Sequence, residues 1–218
     1  PTGLNNELFR LRQRRNGITL AERRLEAAVD LLLQDVGGAK QALEANDTKA
    51  VLLFPDEVSF NAIISSHSKN AHRDWMAPQK SERLLRRMQE LAVTFPHLQP
   101  SIFTFNAVLE ALAKIASSKH PRRAQQSQLA ILRLFQELQQ QNLTPNTFTN
   151  KLVLTSNARF SPEWQSLETW ALNYLDGQDT SLQPDRQTYN QLLKGYAEIG
   201  NADKAEKLLH KIIQATTS

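Results

Sequence analysis

The chain has 218 residues, long enough for one sizeable domain, and a formal net charge of +4 at pH 7. It contains no cysteine, which excludes disulfides, cysteine-ligated zinc sites and thiol nucleophiles. No apolar run reaches the roughly 18 residues that a membrane-spanning helix needs. The mild basic excess is compatible with a polyanionic partner but does not identify one.

The N-terminal stretch is rich in arginine and poor in acidic residues. Residues 1–24 hold six arginines and two glutamates. Such a composition is typical of the end of an organelle transit region, and it fits the solvated face of a basic helix equally well. The sequence therefore leaves both interpretations of this stretch open.

Two helices are predicted before residue 55. Apolar residues from Leu20 to Leu33 fall near one side of a helix, and we expect the Gly37-Gly38 pair to end it. Residues 39–54 are predicted to form a second helix. Together the two should make an atypical first hairpin, because terminal units of repeat arrays commonly act as caps.

Four later segments share a proline junction. They read FPDEVSFNAII, QPSIFTFNAVL, TPNTFTNKLVL and QPDRQTYNQLL, and each proline precedes a small polar residue. In three of them an aromatic-Asn step follows, whereas the third has Asn150-Lys151. Self-similarity at a period of about 35–45 residues is typical of a stacked-repeat solenoid. The junction prolines are Pro55, Pro100, Pro145 and Pro184.

Each junction is predicted to open a helical hairpin. The most regular hairpin spans 184–214, where two segments carry apolar residues at i, i+3, i+4 and i+7 on either side of Gly200-Asn201. These residues are Tyr189, Leu192, Leu193 and Tyr196, then Ala205, Leu208, Leu209 and Ile212. The first helices of the four units are predicted at 57–69, 102–115, 147–158 and 186–199, parallel and on one face.

The second helices are predicted from apolar residues after polar joints. The joint of the second unit is expected to break at Pro121. The apolar residues are Leu84, Leu85, Met88 and Leu91 in the first unit, Ala130, Ile131, Leu134, Phe135 and Leu138 in the second, and Trp164, Leu167, Trp170, Ala171 and Tyr174 in the third.

This pattern resembles the pentatricopeptide repeat family. The resemblance covers about residues 55–214 and is best in TYNQLLKGYAEIGNADKAEKLLHKII, while the first three units are longer than the family's usual repeat. Tetratricopeptide repeats lack the proline junction and carry Trp and Leu-Gly near the start of each unit. The resemblance implies an all-α, right-handed αα-solenoid of stacked helical hairpins. We divide the chain into 1–54, the basic segment and cap, and 55–218, four repeats.

The resemblance also implies single-stranded RNA as the ligand, with one base read per repeat by two or three side chains. In the family, Asn with Ser favours cytosine and Asn with Asn favours pyrimidines, whereas Lys with Asp is unusual and could close on itself. The alternative is that the Asn residues only cap or tighten the helix starts. The implied pairs are Asn61 with Ser101, Asn106 with Asn146, and Lys151 with Asp185, whereas the partner of Asn190 would lie beyond residue 218.

A second family position lies three residues before each of those first-helix residues. It holds Val58, Phe103, Phe148 and Gln187 in the four units. The resemblance implies that successive side chains here sandwich a base, and stacking contributes about 1–3 kcal/mol per base. The alternative is a hydrophobic staple at each helix start, pointing inward.

Cations recur eight residues after the base-reading position. Lys69, Lys114 and Arg159 occupy this position in the first three units, and Glu198 replaces them in the fourth. Cations two turns along the helix from the base would lie beside the phosphates. The alternative is that Lys and Arg simply suit the last turn of a helix, where the dipole favours positive charge.

The sequence predicts a protein without catalytic, cofactor or metal sites, since Walker, GxSxG and HExxH motifs are absent. Two functions remain open. One is single-stranded RNA binding in the RNA metabolism or translation of a chloroplast or mitochondrion. The other is a helical-repeat scaffold that docks, through protein contacts, with subunits of a larger organellar assembly such as a ribosome or membrane complex.

Overall fold

A computed structural model describes residues 3–13, 17–45, 47, 53–116, 120–155, 162–178, 183–198 and 200–217. All regular secondary structure in these ranges is helical, which confirms the all-α helical-repeat prediction. The chain divides into two compact units, Pro1–Ala111 and Leu112–Ser218. The predicted domain boundary after residue 54 stays a prediction.

The N-terminal unit is built from helices that pack in antiparallel pairs. The first pair, α1 (Leu4–Arg12) and α2 (Gly17–Gln34), packs on α4 (Glu57–Asn70), which is itself paired with α5 (Ala77–Ala92). Their shared core consists of fully buried leucine, isoleucine, phenylalanine and methionine side chains, among them Leu8, Leu25, Phe60 and Met88. The helices are α1 (Leu4–Arg12), α2 (Gly17–Gln34), α3 (Val36–Glu44), α4 (Glu57–Asn70), α5 (Ala77–Ala92) and, after a 3₁₀ turn at Pro96–Leu98, α6 (Ile102–Ala116), which runs past the unit boundary.

The N-terminal hairpin differs from the prediction. It pairs α1 with α2, and within the predicted second helix, 39–54, the structure describes only α3, which begins earlier, at Val36, and ends at Glu44. Residues 46 and 48–52 of that prediction lie outside the described residues. Gly37-Gly38 does not end α2, which ends at Gln34, but lies inside the first turn of α3, where Asp35 Oδ1 accepts a hydrogen bond from the Gly38 amide (2.8 Å). An N-cap aspartate satisfies a free amide of the first turn, and this offsets the low helix propensity of glycine.

All four predicted first helices begin where the junction predicts. Each starts two residues after its proline, and the small polar residue between them is the N-cap. In α4, Asp56 Oδ1 accepts from the Ser59 amide (2.7 Å) while Ser59 Oγ accepts from the Asp56 amide (3.2 Å). This reciprocal capping box satisfies two amides that the helix itself leaves unpaired. The junction therefore fixes each helix start locally.

Removing the first cap is expected to destabilise the N-terminal unit. Asp56→Ala leaves the Ser59 amide without its acceptor and also removes the acceptor of the Asn5 side chain of α1, 2.9 Å from Asp56 Oδ2. We expect the free energy of unfolding to fall by about 1 kcal/mol, measured by urea denaturation. The control, Asp30→Ala, changes an exposed aspartate inside α2. Equal stability of the two variants would contradict the capping role.

A half-buried carboxylate connects α2 to the next hairpin. Glu22 Oε1 lies 3.3 Å from His67 Nε2 and 3.0 Å from Arg83 Nη2. The hydrogen-bonding interaction with His67 and the charge of Arg83 hold the pKa of Glu22 below its ordinary value, against burial, which raises it. A depressed carboxyl pKa contributes stability that is complete above the unfolded value and is lost as the pH falls.

We therefore expect Glu22 to steepen acid unfolding. The wild-type protein should lose stability as the pH falls through about 4.3, the unfolded pKa of a glutamate, and below. In Glu22→Gln part of this pH dependence should disappear, because the substituted amide does not titrate. Urea midpoints between about pH 6 and pH 3 measure it. An unchanged pH profile, or one equally flattened by the exposed control Glu44→Gln, would show that Glu22 is not responsible.

The C-terminal unit continues the hairpin pattern. The first helix of the third repeat, α8 (Thr147–Thr155), packs against its own hairpin partner α9 (Pro162–Leu175), against α10 (Arg186–Glu198) of the fourth hairpin, and against α7 (Pro121–Gln140). The break predicted at Pro121 lies just before it: His120 is the N-cap and Pro121 is the first residue of α7, a position where a proline removes only an amide that has no partner. The helices are α7 (Pro121–Gln140), α8 (Thr147–Thr155), α9 (Pro162–Leu175), α10 (Arg186–Glu198) and α11 (Ala202–Thr217).

Most predicted core positions are buried, with a few exceptions. Leu84, Leu85, Met88 and Leu91 are buried in the N-terminal unit, and Ile131, Leu134, Phe135 and Leu138 in the C-terminal unit. Seven other predicted core residues are only half-buried: Ala130, Trp170, Tyr174, Tyr189, Leu193, Ala205 and Ile212. The predicted core residue Leu209 is 48% exposed, because it lies at the edge of the α11 stripe. Trp164 and Leu167 have side chains outside the described set.

A charged network fastens the last hairpin to α9. Glu168 Oε1 accepts a hydrogen bond from the buried Tyr196 hydroxyl (2.6 Å) and from Lys204 Nζ (2.8 Å). Burial and the neighbouring carboxylate raise the pKa of Tyr196, so the phenol keeps its proton and acts as the donor. The network joins α9, α10 and α11 through one carboxylate oxygen.

Candidate functional site

Large apolar side chains lie exposed at the same position of three first helices. Val58 is 60% exposed, Phe103 70% and Phe148 44%. Each is the second residue of its helix, next to the buried hydroxyl residue that completes the cap. The alternative of an inward-pointing staple is therefore wrong for these three residues. The side chain of Gln187, at the fourth such position, lies outside the described set.

The structure brings together the first predicted base-reading pair. Asn61 Nδ2 donates to Glu57 Oε1 (3.0 Å), and the Ser101 hydroxyl donates to the same oxygen. Asn61 Oδ1 is buried and has no hydrogen-bond partner in the structure. Two donors therefore converge on one carboxylate oxygen, beside an acceptor that is left unused. This pair lies between the exposed Val58 and Phe103 in the chain, within the N-terminal unit.

The second pair is placed differently. Asn106 is only 5% exposed, so its amide is much less accessible than that of Asn61. Asn146 is the N-cap of α8, and its Oδ1 accepts from the amide and the hydroxyl of Thr149 (both 2.9 Å). The alternative interpretation, that the polar residues cap helix starts, therefore holds for Asn146. Since Asn106 belongs to the N-terminal unit and Asn146 to the C-terminal one, each is described separately.

The third pair does not close on itself. No ion pair joins Lys151 to Asp185, both of which the structure describes. Asp185 Oδ1 instead accepts from the Thr188 amide (2.7 Å) and hydroxyl (2.8 Å), as the N-cap of α10. Asn150 takes the place of the aromatic residue here and is buried, with its Oδ1 unpaired. An unpaired buried acceptor destabilises the fold, so this unit departs from the repeat in packing as well as in sequence.

The last hairpin is the most regular. Tyr196, Leu192 and Leu208 are buried along its two helices, and Asn190 is exposed on α10. Gly200, between the helices, has a φ of +70°, a left-handed conformation that favours glycine at the end of a helix. Residues 187–215, which make up this hairpin, match the sequence model of the family described as PPR repeat.

The C-terminal hairpin is a pentatricopeptide repeat (PPR). The match confirms the resemblance that the sequence predicts, at the unit where the sequence fits best. A comparison with curated proteins finds no significant match to the chain. The PPR hairpin provides the reference for the other three, because they share its junction, cap and first-helix start.

The three cations predicted to contact phosphate differ in exposure and in their partners. Lys69 is exposed at the last turn of α4, and it has no carboxylate partner among the described residues. Lys114 is half-buried in α6 and takes part in an interaction. Arg159 lies outside the described residues. Of the three, Lys69 is therefore the best placed to meet a polyanion.

Buried hydroxyl residues at the four proline junctions were not predicted from the sequence. Each junction proline and N-cap are followed, three residues after the cap, by a serine or threonine that is fully buried. The spacing Pro-polar-x-x-Ser/Thr was visible and is a capping-box pattern with a hydroxyl in place of Glu or Gln. The four residues are Ser59, Thr104, Thr149 and Thr188.

Other kinds of site find no support in the part of the chain that the structure describes. Three or more histidine or acidic side chains do not come together there as metal ligands. None of the helices in that part is both long and apolar enough to cross a membrane.

Proposed function

We propose that this PPR-repeat protein binds single-stranded RNA without catalysing a reaction. The observation that carries the proposal is the exposure of Val58 and Phe103 at the same position of successive first helices. Burying large apolar side chains is favourable, and a folded chain that leaves them in solvent at a repeated position has a surface suited to a flat, apolar ligand face. A nucleic-acid base has such a face, and stacking on it contributes about 1–3 kcal/mol.

The polar groups between these side chains suit a base edge. The Asn61 amide carries both a donor and an acceptor, and its acceptor Oδ1 is unpaired but buried, so a base reaches it only after the side chain rotates. A base recognised by this pair would accept the hydrogen bonds that Asn61 and Ser101 now donate to Glu57. In this exchange an acceptor on the base replaces the Glu57 carboxylate oxygen. The pair should therefore select a base that carries an acceptor on the edge facing Asn61 and Ser101. Asn61 with Ser101 would favour cytosine by the family pattern.

An electrophoretic mobility shift against a randomised pool of single-stranded RNA tests the proposal. We expect binding at about 50 mM salt that weakens as salt rises, because released counterions drive phosphate binding. The log–log slope should be about −0.7 for each phosphate contacted. A double-stranded RNA of the same length should compete poorly, since its bases are already stacked. Absence of binding at about 50 mM salt would contradict RNA recognition.

We place this function in the RNA metabolism or translation of an organelle, a chloroplast or mitochondrion. The PPR repeat at residues 187–215 supports this, because proteins with this repeat are typically organellar. Import of the full-length precursor, with a fluorescent protein fused after its last residue, is the direct test. Fluorescence spread through the cytosol would contradict it.

A scaffold function is the second candidate, and the burial of Asn106 favours it. An amide that is 5% exposed is badly placed to read a base, so the second repeat would contribute little to RNA selectivity. On this alternative the exposed apolar residues meet protein subunits of a larger organellar assembly. The same mobility shift separates the candidates, because a scaffold would not need to bind the RNA pool.

A further inference from the structure

Two adjoining clefts open in the N-terminal unit where α1 and α2 meet the end of α4. The larger, of about 530 Å³, is lined in part by Arg12, Arg73, Lys80 and Asp74. The smaller, of about 210 Å³, is lined in part by Arg12 and Lys69. Arg12, Ile18 and Asn70 line both. The clefts thus form one continuous recess, which we call the Arg12 recess, defined by Arg12, Lys69, Arg73, Asp74 and Lys80.

The recess carries a surplus of positive charge. Among the lining residues that the structure describes, four cations face one carboxylate, Asp74, which is already paired with Lys80 at 2.7 Å. Arg12, Lys69 and Arg73 have no carboxylate partner among the residues that the structure describes. The remaining lining group that can be charged, His67, is engaged with Glu22. Arg12, Lys69 and Arg73 are therefore available to bind an anion.

Arg12 is the least solvated of these cations. Its Nε is buried without a hydrogen-bond partner, and its guanidinium carbon lies 5.9 Å from the centroid of the Phe9 ring. Burial lowers the pKa of Arg12, as it does for any cation removed from water without a counter-ion. A planar guanidinium with free donors binds phosphate oxygens in bidentate fashion.

We propose that the Arg12 recess binds a phosphate group, supplied by the backbone of the RNA that the first repeat holds. The inference rests on the proposed function for the source of the phosphate. Lys69 lines the recess and lies on the same helix as Val58 and Asn61, eleven residues and about 16 Å along the axis from Val58. A strand stacked at Val58 therefore reaches the recess by continuing along α4.

The test compares variants of equal charge. Arg12→Ala and Arg73→Ala each remove a cation from the recess, and Arg73 is exposed in a turn, where a change leaves the fold intact. The control, Arg10→Ala, removes the same charge from an exposed position of α1 outside the recess. Binding to a short single-stranded RNA is followed by fluorescence anisotropy over a salt series. Thermal melts with sodium phosphate supply the second arm.

We expect Arg12→Ala and Arg73→Ala to bind RNA about tenfold more weakly than wild type, with a salt slope flatter by about 0.7, and Arg10→Ala to bind like wild type. If RNA binds but all three variants match, the recess is not a phosphate site and the proposed function stands. If RNA does not bind but phosphate stabilises wild type and Arg10→Ala and not Arg73→Ala, the recess takes free phosphate and the proposed function fails. If neither ligand acts, both proposals are wrong.

Discussion

Replacing Leu208 by alanine is expected to lower the free energy of unfolding by about 2–5 kcal/mol. Leu208 lies in the PPR hairpin on α11 and is 1% exposed, so truncation removes buried apolar contacts and leaves a cavity. A loss of this size is a large share of the stability of a domain, and the C-terminal unit could unfold well below the wild-type temperature. Urea denaturation followed by circular dichroism measures it.

The neighbouring leucine is the matched control. Leu209 is on the same helix, one residue later, and is 48% exposed. Leu209→Ala should therefore change the free energy of unfolding by about 0.5 kcal/mol at most, as for ordinary surface substitutions. If the two variants lose equal stability, the assignment of Leu208 to the core and Leu209 to the surface is wrong.

The four first helices could be predicted because their starts are coded locally. Pro followed by a small polar residue specifies an N-cap, and the alternation of apolar residues specifies the buried side, so both features can be read without tertiary contacts. The N-terminal hairpin could not be predicted in this way. Its first helix, α1, is rich in arginine, and nothing local marks it as part of the core. Its two buried leucines, Leu4 and Leu8, can be recognised as core residues only once α2 is packed on them.

The candidate site was partly predictable for the same reason. The exposed positions of Val58 and Phe103 follow from their place in the first turn, next to a buried hydroxyl. The role of Glu57 could not be read from the sequence, because its carboxylate joins Asn61 to Ser101, a residue 40 positions later in the next repeat. The burial of Asn106, in contrast to the half-exposure of Asn61 at the equivalent position, also depends on tertiary packing.

Phe103→Ala is expected to weaken RNA binding by about 5- to 150-fold. The range corresponds to the roughly 1–3 kcal/mol that stacking contributes per base. The phenyl ring is 70% exposed, so its removal should leave the melting temperature close to that of wild type. Anisotropy titrations at about 50 mM salt measure the affinity, and a thermal melt confirms that the fold is intact.

Two further variants test whether the loss of affinity comes from the aromatic ring of Phe103. Phe103→Tyr keeps an aromatic ring and should retain most of the affinity, because stacking depends on the ring face. Val93→Ala removes an exposed apolar side chain between α5 and the 3₁₀ turn, away from the first-helix starts, and should bind like wild type. Equal affinity of Phe103→Ala and Val93→Ala would mean that Phe103 does not contact the RNA.

Photo-cross-linking of single-stranded RNA to the wild-type protein, followed by mass spectrometry of the cross-linked peptides, tests the stacking account most directly. The account predicts a cross-linked nucleotide on Phe103, because short-range photochemistry requires the base to lie against the ring. The same cross-link should be lost in Phe103→Ala. Cross-links that fall only on the second helices α5 and α7, or RNA that fails to cross-link at all under conditions where a known RNA-binding protein does, would contradict it.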